Sequence, residues 1–110
     1  MPNTNRPTIS THVLDTGRGE PAAGVSVTLS RVDGGQAVTQ QTDADGRIAS
    51  LGELSPGGYR LSFDVGGYYK KKALTPFLDR VTVDFTVEAD RRYHIPLLMS
   101  PFSCSSYRGS

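Results

Sequence analysis

The sequence predicts an all-β fold: two packed sheets built from seven or eight short strands, with one short helix. Glycine and proline, 12 and 7 of the 110 residues, break the chain at intervals of about 8 to 12 residues. The stretches between the breaks are rich in Val, Thr, Leu, Tyr and Phe, residues that suit a pleated, half-buried surface. Three of these stretches alternate apolar and polar positions with the period of a strand. They are Val25, Val27 and Leu29, then Tyr59, Leu61, Phe63 and Val65, then Val81, Val83, Phe85 and Val87.

Each element follows from local chemistry. Residues 1–8 are polar and read as a flexible tail, leaving 9–110 as a single domain with no repeat or linker inside it. Residues 9–14 form the first strand. Further strands are expected at 25–30, 37–41, 47–51, 59–65, 81–87, 93–98 and 105–108. The run Asp43, Ala44, Asp45, Gly46 reads as a tight hairpin turn, with Gly46 supplying positive φ and the aspartates bonding local backbone. It lacks the later Gly and the terminal Glu of a calcium loop. Only residues 67–74, carrying Tyr68, Tyr69 and three lysines, suit a turn or two of helix before Pro76 ends it.

Composition excludes several functions. Twelve Lys+Arg against eleven Asp+Glu leave a net charge of +1, with Lys70, Lys71 and Lys72 the one cationic run, so no nucleic acid or anionic bilayer is expected as partner. No apolar stretch nears the roughly 18 residues that cross a membrane. A lone cysteine, Cys104, and an opening without an apolar signal segment point to the cytoplasm. There is no G-x-S-x-G elbow, no H-E-x-x-H, no cysteine pair for zinc and no phosphate-binding glycine motif. Cys104 with His94 as base would make a cysteine hydrolase, but nothing nearby activates the thiol. A metal on His12 and His94 would lack a third ligand, so no metal is expected.

The two histidines are the best candidates for chemistry at neutral pH. In residues 9–14, Ile9 and Val13 share one face, while His12 shares the other with Ser10 and Leu14. In residues 93–98, Tyr93, Ile95 and Leu97 share a face and His94 lies opposite with Pro96 and Leu98. Both histidines are thus expected on a sheet's outer face, a pattern that equally fits two unrelated surface residues. Arg47 and Arg108 offer the forked donors that suit anionic or carbonyl-rich ligands.

Four segments and the tail carry a resemblance: residues 10–16 (S-T-H-V-L-D-T), 21–25 (P-A-A-G-V), 42–47 (T-D-A-D-G-R), 93–98 (Y-H-I-P-L-L), and the terminal Y-R-G-S. Together they resemble the transthyretin-like 5-hydroxyisourate hydrolase family. The resemblance runs from about Ile9 to Ser110 and departs from the family at Cys104, Ser106 and the lysine run. It implies a transthyretin-like (prealbumin-like) two-sheet sandwich, a homotetramer with active sites in the channel between dimers, and no cofactor. The implied reaction, part of urate breakdown, opens the six-membered ring of 5-hydroxyisourate to 2-oxo-4-hydroxy-4-carboxy-5-ureidoimidazoline. The implied catalytic residues are His12, Arg47, His94 and Ser110, with Tyr107, Arg108 and Gly109 completing a substrate-binding tail. His94 is the favoured general base, with His12 and Arg47 holding the ligand, although the two histidines could exchange roles. The alternative is a non-catalytic sandwich that binds a small aromatic ligand or a protein partner.

Overall fold

The computed structural model describes residues 7–89 and 91–109. Among them ten strands form two sheets around one core, with a single short helix. The first sheet is organised by β1 (Thr8–Asp15). One edge of β1 bonds β5 (Arg47–Ile48) and then β2 (Glu20–Pro21), both antiparallel. Its other edge bonds β8 (Arg92–His94) and then β9 (Leu97–Met99), both parallel, and β10 (Cys104–Ser106) lies antiparallel beyond β9. The second sheet runs β4 (Val38–Gln41), β3 (Ser26–Arg31), β6 (Gly57–Phe63), β7 (Val81–Val87).

Alternation decides which side chains make the core. On β1, Ile9, Thr11, Val13 and Asp15 are buried while Thr8, Ser10, His12 and Leu14 are half-buried on the outer face. Val27 and Leu29 from β3, Tyr59, Leu61 and Phe63 from β6, and Leu97 and Met99 from β9 close the sandwich from both sides. Burying each large aliphatic or aromatic side chain contributes about 1.5–3 kcal/mol, which makes the strand period the dominant local signal. Three polar residues, Thr11, Asp15 and Thr42, are buried with partners, Thr42 Oγ1 donating to the Ala22 carbonyl at 2.6 Å and accepting from Val25 N at 2.9 Å. Thr11 Oγ1 donates to the Ile95 carbonyl at 2.6 Å, and Asp15 accepts from the hydroxyls of Tyr68 and Tyr69 at 3.0 and 3.1 Å.

The structure departs from the sequence expectations in five places. The single strand expected at 93–98 is two strands, because Pro96 has no N–H to give the ladder. With the two-residue β2, which is too short to show alternation, this raises the strand number above the expected seven or eight. The helix α1 spans Val65–Lys71, earlier than expected, because the Asp64 carboxylate accepts the Gly67 N–H at 3.0 Å and caps its start. The chain folded against the core reaches back to Pro7, whose carbonyl accepts from Leu54 N, so residues 7 and 8 of the expected tail belong to the folded unit.

The fifth concerns the turn at 43–46. Its local chemistry is as expected: Asp43 Oδ1 accepts from Asp45 N and Arg47 N, both at 2.9 Å, and Gly46 has φ +74°. It is not a hairpin, however, since β4 pairs with β3 and β5 with β1. The turn carries the chain from one sheet to the other. The Gly46 carbonyl also accepts from Val13 N at 2.7 Å, and a Cβ at Gly46 would overlap the Val13 carbonyl oxygen. Gly46→Ala should therefore destabilise the fold by more than about 2 kcal/mol, combining the left-handed backbone cost with that overlap. Chemical denaturation measures this, and an unchanged midpoint would contradict the account.

Candidate active site

The outer face of the first sheet gathers the residues whose chemistry the sequence singled out. His12 on β1 stands directly opposite Arg47 on β5. Two residues back along the same face, Ser10 stands opposite His94 on β8. Neighbouring strands lie about 4.8 Å apart, so β5, β1 and β8 hold Arg47, the His12/Ser10 pair and His94 within a span of about 10 Å. Long side chains close that span readily.

His94 is held on three sides. Its Nδ1 lies 2.9 Å from Ser10 Oγ. Its carbonyl accepts from Gly109 N at 2.7 Å, which brings the tail alongside β8. A Cβ on Gly109 would stand 2.7 Å from Cδ2 and 3.3 Å from Cγ of the imidazole, so only glycine lets the tail pass so close to the ring. Beside the histidine lies an open depression of about 710 Å³ lined by Thr8, Ser10, Arg47, Ala49, Arg92, Tyr93 and His94. Its lining has two guanidinium groups and no acidic side chain. Such a surface suits a flat ligand rich in carbonyl oxygens or negative charge.

Not every expected site residue falls in this depression. Arg108 places its guanidinium 5.3 Å from the centroid of the Tyr93 ring. With Tyr107, Phe85, Ile95 and Ser106 it lines a separate groove of about 530 Å³ that also takes in residues of β7. Tyr107 is exposed. Ser110 lies outside the described residues. Of the seven lining residues only Arg47 and His94 were sequence candidates; among the other five, Ser10 and Arg92 carry side chains able to bind or orient a polar group. Ser10 shares the parity of His12, and Arg92 shares that of His94; strand parity was the signal that could have found them.

Electrostatics set the state of His94. Burial pushes its imidazole below the ordinary range, and the positive charges of His12 and Arg47 push it further the same way. The ring is thus neutral at neutral pH, with a lone pair free to take a proton. The lowered pKa also couples to folding. Between the folded midpoint and the ordinary value of 6.5 the unfolded chain binds more protons. Stability therefore rises with pH across that window and is lost as pH falls through it.

A two-sheet β-sandwich with a histidine–arginine cluster on one outer sheet face is the class of protein that this architecture defines. The chain belongs to the HIUase/Transthyretin family, whose sequence profile matches residues 9–109. It is 46% identical to a 5-hydroxyisourate hydrolase of Caulobacter vibrioides, covering 93% of this chain and 97% of the relative. It is 48% identical to one of Deinococcus radiodurans, covering 97% and 99%. Among solved structures it superimposes on Klebsiella pneumoniae 5-hydroxyisourate hydrolase with a TM-score of 0.86 and 35% identity, covering 99% of this chain and 100% of the other. Sea bream transthyretin in complex with thyroxine gives a TM-score of 0.85 at 34% identity, covering 92% and 93%.

Titration of the His94 ring by NMR should give a midpoint below 6.5, and Arg47→Ala should raise it by removing a like charge. A native midpoint at or above 6.5, or no change in the variant, would contradict this electrostatic description.

Proposed function

We propose that the protein is a single-domain hydrolase that opens the six-membered ring of 5-hydroxyisourate. The observation that carries this reading is the convergence of His12, Arg47 and His94 across three adjacent strands. Its relatives of 46% and 48% identity bear the name of that activity over nearly their whole lengths.

His94 acts as general base. Its neutral imidazole takes a proton from water as the water oxygen bonds to the ring amide carbonyl, and the carbonyl π electrons move onto oxygen. Arg47 and His12 stabilise that oxyanion. Collapse of the intermediate restores the C=O and breaks the C–N bond, and the proton held by His94 passes to the departing nitrogen. The product carries a carboxylate and a ureido group, so the overall change is addition of one water. The reaction needs no cofactor on this scheme. Tyr107, Arg108 and Gly109 belong to the substrate-binding tail, with Gly109 aligning His94, and Ser110 hydrogen-bonds substrate or water.

The working form is a homotetramer. Support comes from two open strand edges, β7 and β10, which flank the groove containing Phe85, Tyr107 and Arg108. Open edges invite pairing with another chain. Tyr107 and Arg108 would reach a catalytic depression in such an assembly. Light scattering should report four chains per particle; a monomer at micromolar concentration would overturn this part. The cytoplasm is the proposed compartment, consistent with an exposed, free Cys104.

The decisive assay follows freshly generated 5-hydroxyisourate by absorbance. Native protein should outpace spontaneous decay, and His94→Ala should lose roughly 10²–10⁴ in rate while remaining folded. Cys104→Ser should keep the native rate. Failure of native protein to accelerate ring opening would replace the hydrolase reading with that of a small-ligand-binding sandwich.

A further inference from the structure

Among the described residues, Ser10 is the one side chain that hydrogen-bonds the His94 ring, and the proposed reaction leaves that contact without a role. We propose that Ser10 is a positioning residue: its Oγ accepts the Nδ1 proton of His94, which keeps the lone pair on Nε2, the atom that receives the proton of water. This rests on the hydrolase reading above and sharpens it.

The geometry leaves few choices. Nδ1 is occupied by Ser10 at 2.9 Å, and the Cδ2 edge of the ring faces Gly109. Nε2, at the far end from Cβ, is the nitrogen without a protein partner among the described residues. A neutral imidazole carries one proton, so the two nitrogens have opposite roles. Were the Ser10 hydroxyl to donate to Nδ1, Nε2 would carry the proton and could only donate, and the sole lone pair would be sealed against Ser10. With Ser10 accepting, the lone pair faces outward, and after proton uptake the same Nδ1–H···Oγ contact becomes a stronger, charge-assisted one. The hydroxyl need not turn during the reaction, so the site is arranged beforehand.

The contact is also fixed by the fold. Ser10 and His94 are register partners on adjacent parallel strands, and Ile95 N donates to the Ser10 carbonyl at 3.0 Å, which locks that register. The charged groups around the ring come from every neighbour: His12 on β1, Arg47 on β5, Arg92 on β8 itself, and Arg108 in the tail over the adjacent Tyr93. The three arginines are cationic. None accepts a proton from Nδ1, which leaves that task to a neutral hydroxyl.

Two readouts test this on the full chain. In ¹H–¹⁵N spectra of the imidazole, native protein should show the proton on Nδ1 of His94, and Ser10→Ala should lose that preference. A native ring protonated on Nε2 would overturn the proposal whatever the activity. In kinetics on 5-hydroxyisourate, Ser10→Ala should lower kcat by roughly 10- to 100-fold, the scale seen when the group orienting a functional imidazole is removed. KM should change little. The acid limb of the pH profile should move to lower pH, because the lost acceptor favoured the charged ring. Ser10→Thr, which retains the hydroxyl, should recover most of the rate. Native kcat and an unmoved acid limb in a folded Ser10→Ala would overturn the role. Loss of rate in both variants with the acid limb unmoved would also overturn it, by marking the contact as structural only. Inactivity of the native protein would instead refute the hydrolase reading, and the spectra would still decide the tautomer.

Discussion

Strand β1 is the constraint on which the rest of the molecule depends. Eight residues bond four other strands, two on each edge, so every side chain on β1 has its neighbours assigned by register. A slip of one residue would turn Ile9 and Val13 outward and bury His12. Burying His12 in an apolar core would cost far more than exposing it. The hydrophobic pattern that makes the core therefore also holds the histidine on the outer face. Packing and chemistry are set by one alternation.

The same economy governs the cluster around His94. Arg47 is delivered by a turn that must cross between sheets, and that turn closes only with glycine at position 46. The tail reaches His94 only with glycine at position 109. One close backbone approach delivers Arg47 to the depression beside His94, whose described lining holds no acidic side chain, and the other lays the tail against the imidazole. An imidazole left free to gain a proton in such a field is held in its basic form by its surroundings.

The sandwich was legible because its information is local: period-two runs at 25–29, 59–63 and 81–87, and breaks at glycine and proline. The outward parity of His12 and His94 was legible for the same reason. Their meeting was not. It depends on β1 pairing with segments nearly forty and more than eighty residues away, and periodicity carries no information about which strands become neighbours. The Asp43 turn misled in the same way, since identical local hydrogen bonds close a hairpin or a crossing between sheets. Pro96 lay in plain sight inside a strand pattern, and its missing donor divides that strand. The role proposed for the tail came from resemblance alone, because its composition is indistinguishable from that of a frayed end.

The buried Asp15 has a consequence at the far end of the pH scale. Burial, and then the carboxylate accepting from both hydroxyls, raise the ionisation of Tyr68 to about 12 and that of Tyr69 further still. Above the ordinary value near 10, the unfolded chain gives up these protons and the folded chain keeps them, so stability declines with rising alkalinity. Helix α1 is tied to the first sheet through those hydroxyls, and it is the element that alkali loosens. His94 sets an acid shoulder and the tyrosine pair an alkaline one. Between them lies a plateau in which the protein's resistance to unfolding is indifferent to pH as far as these groups are concerned.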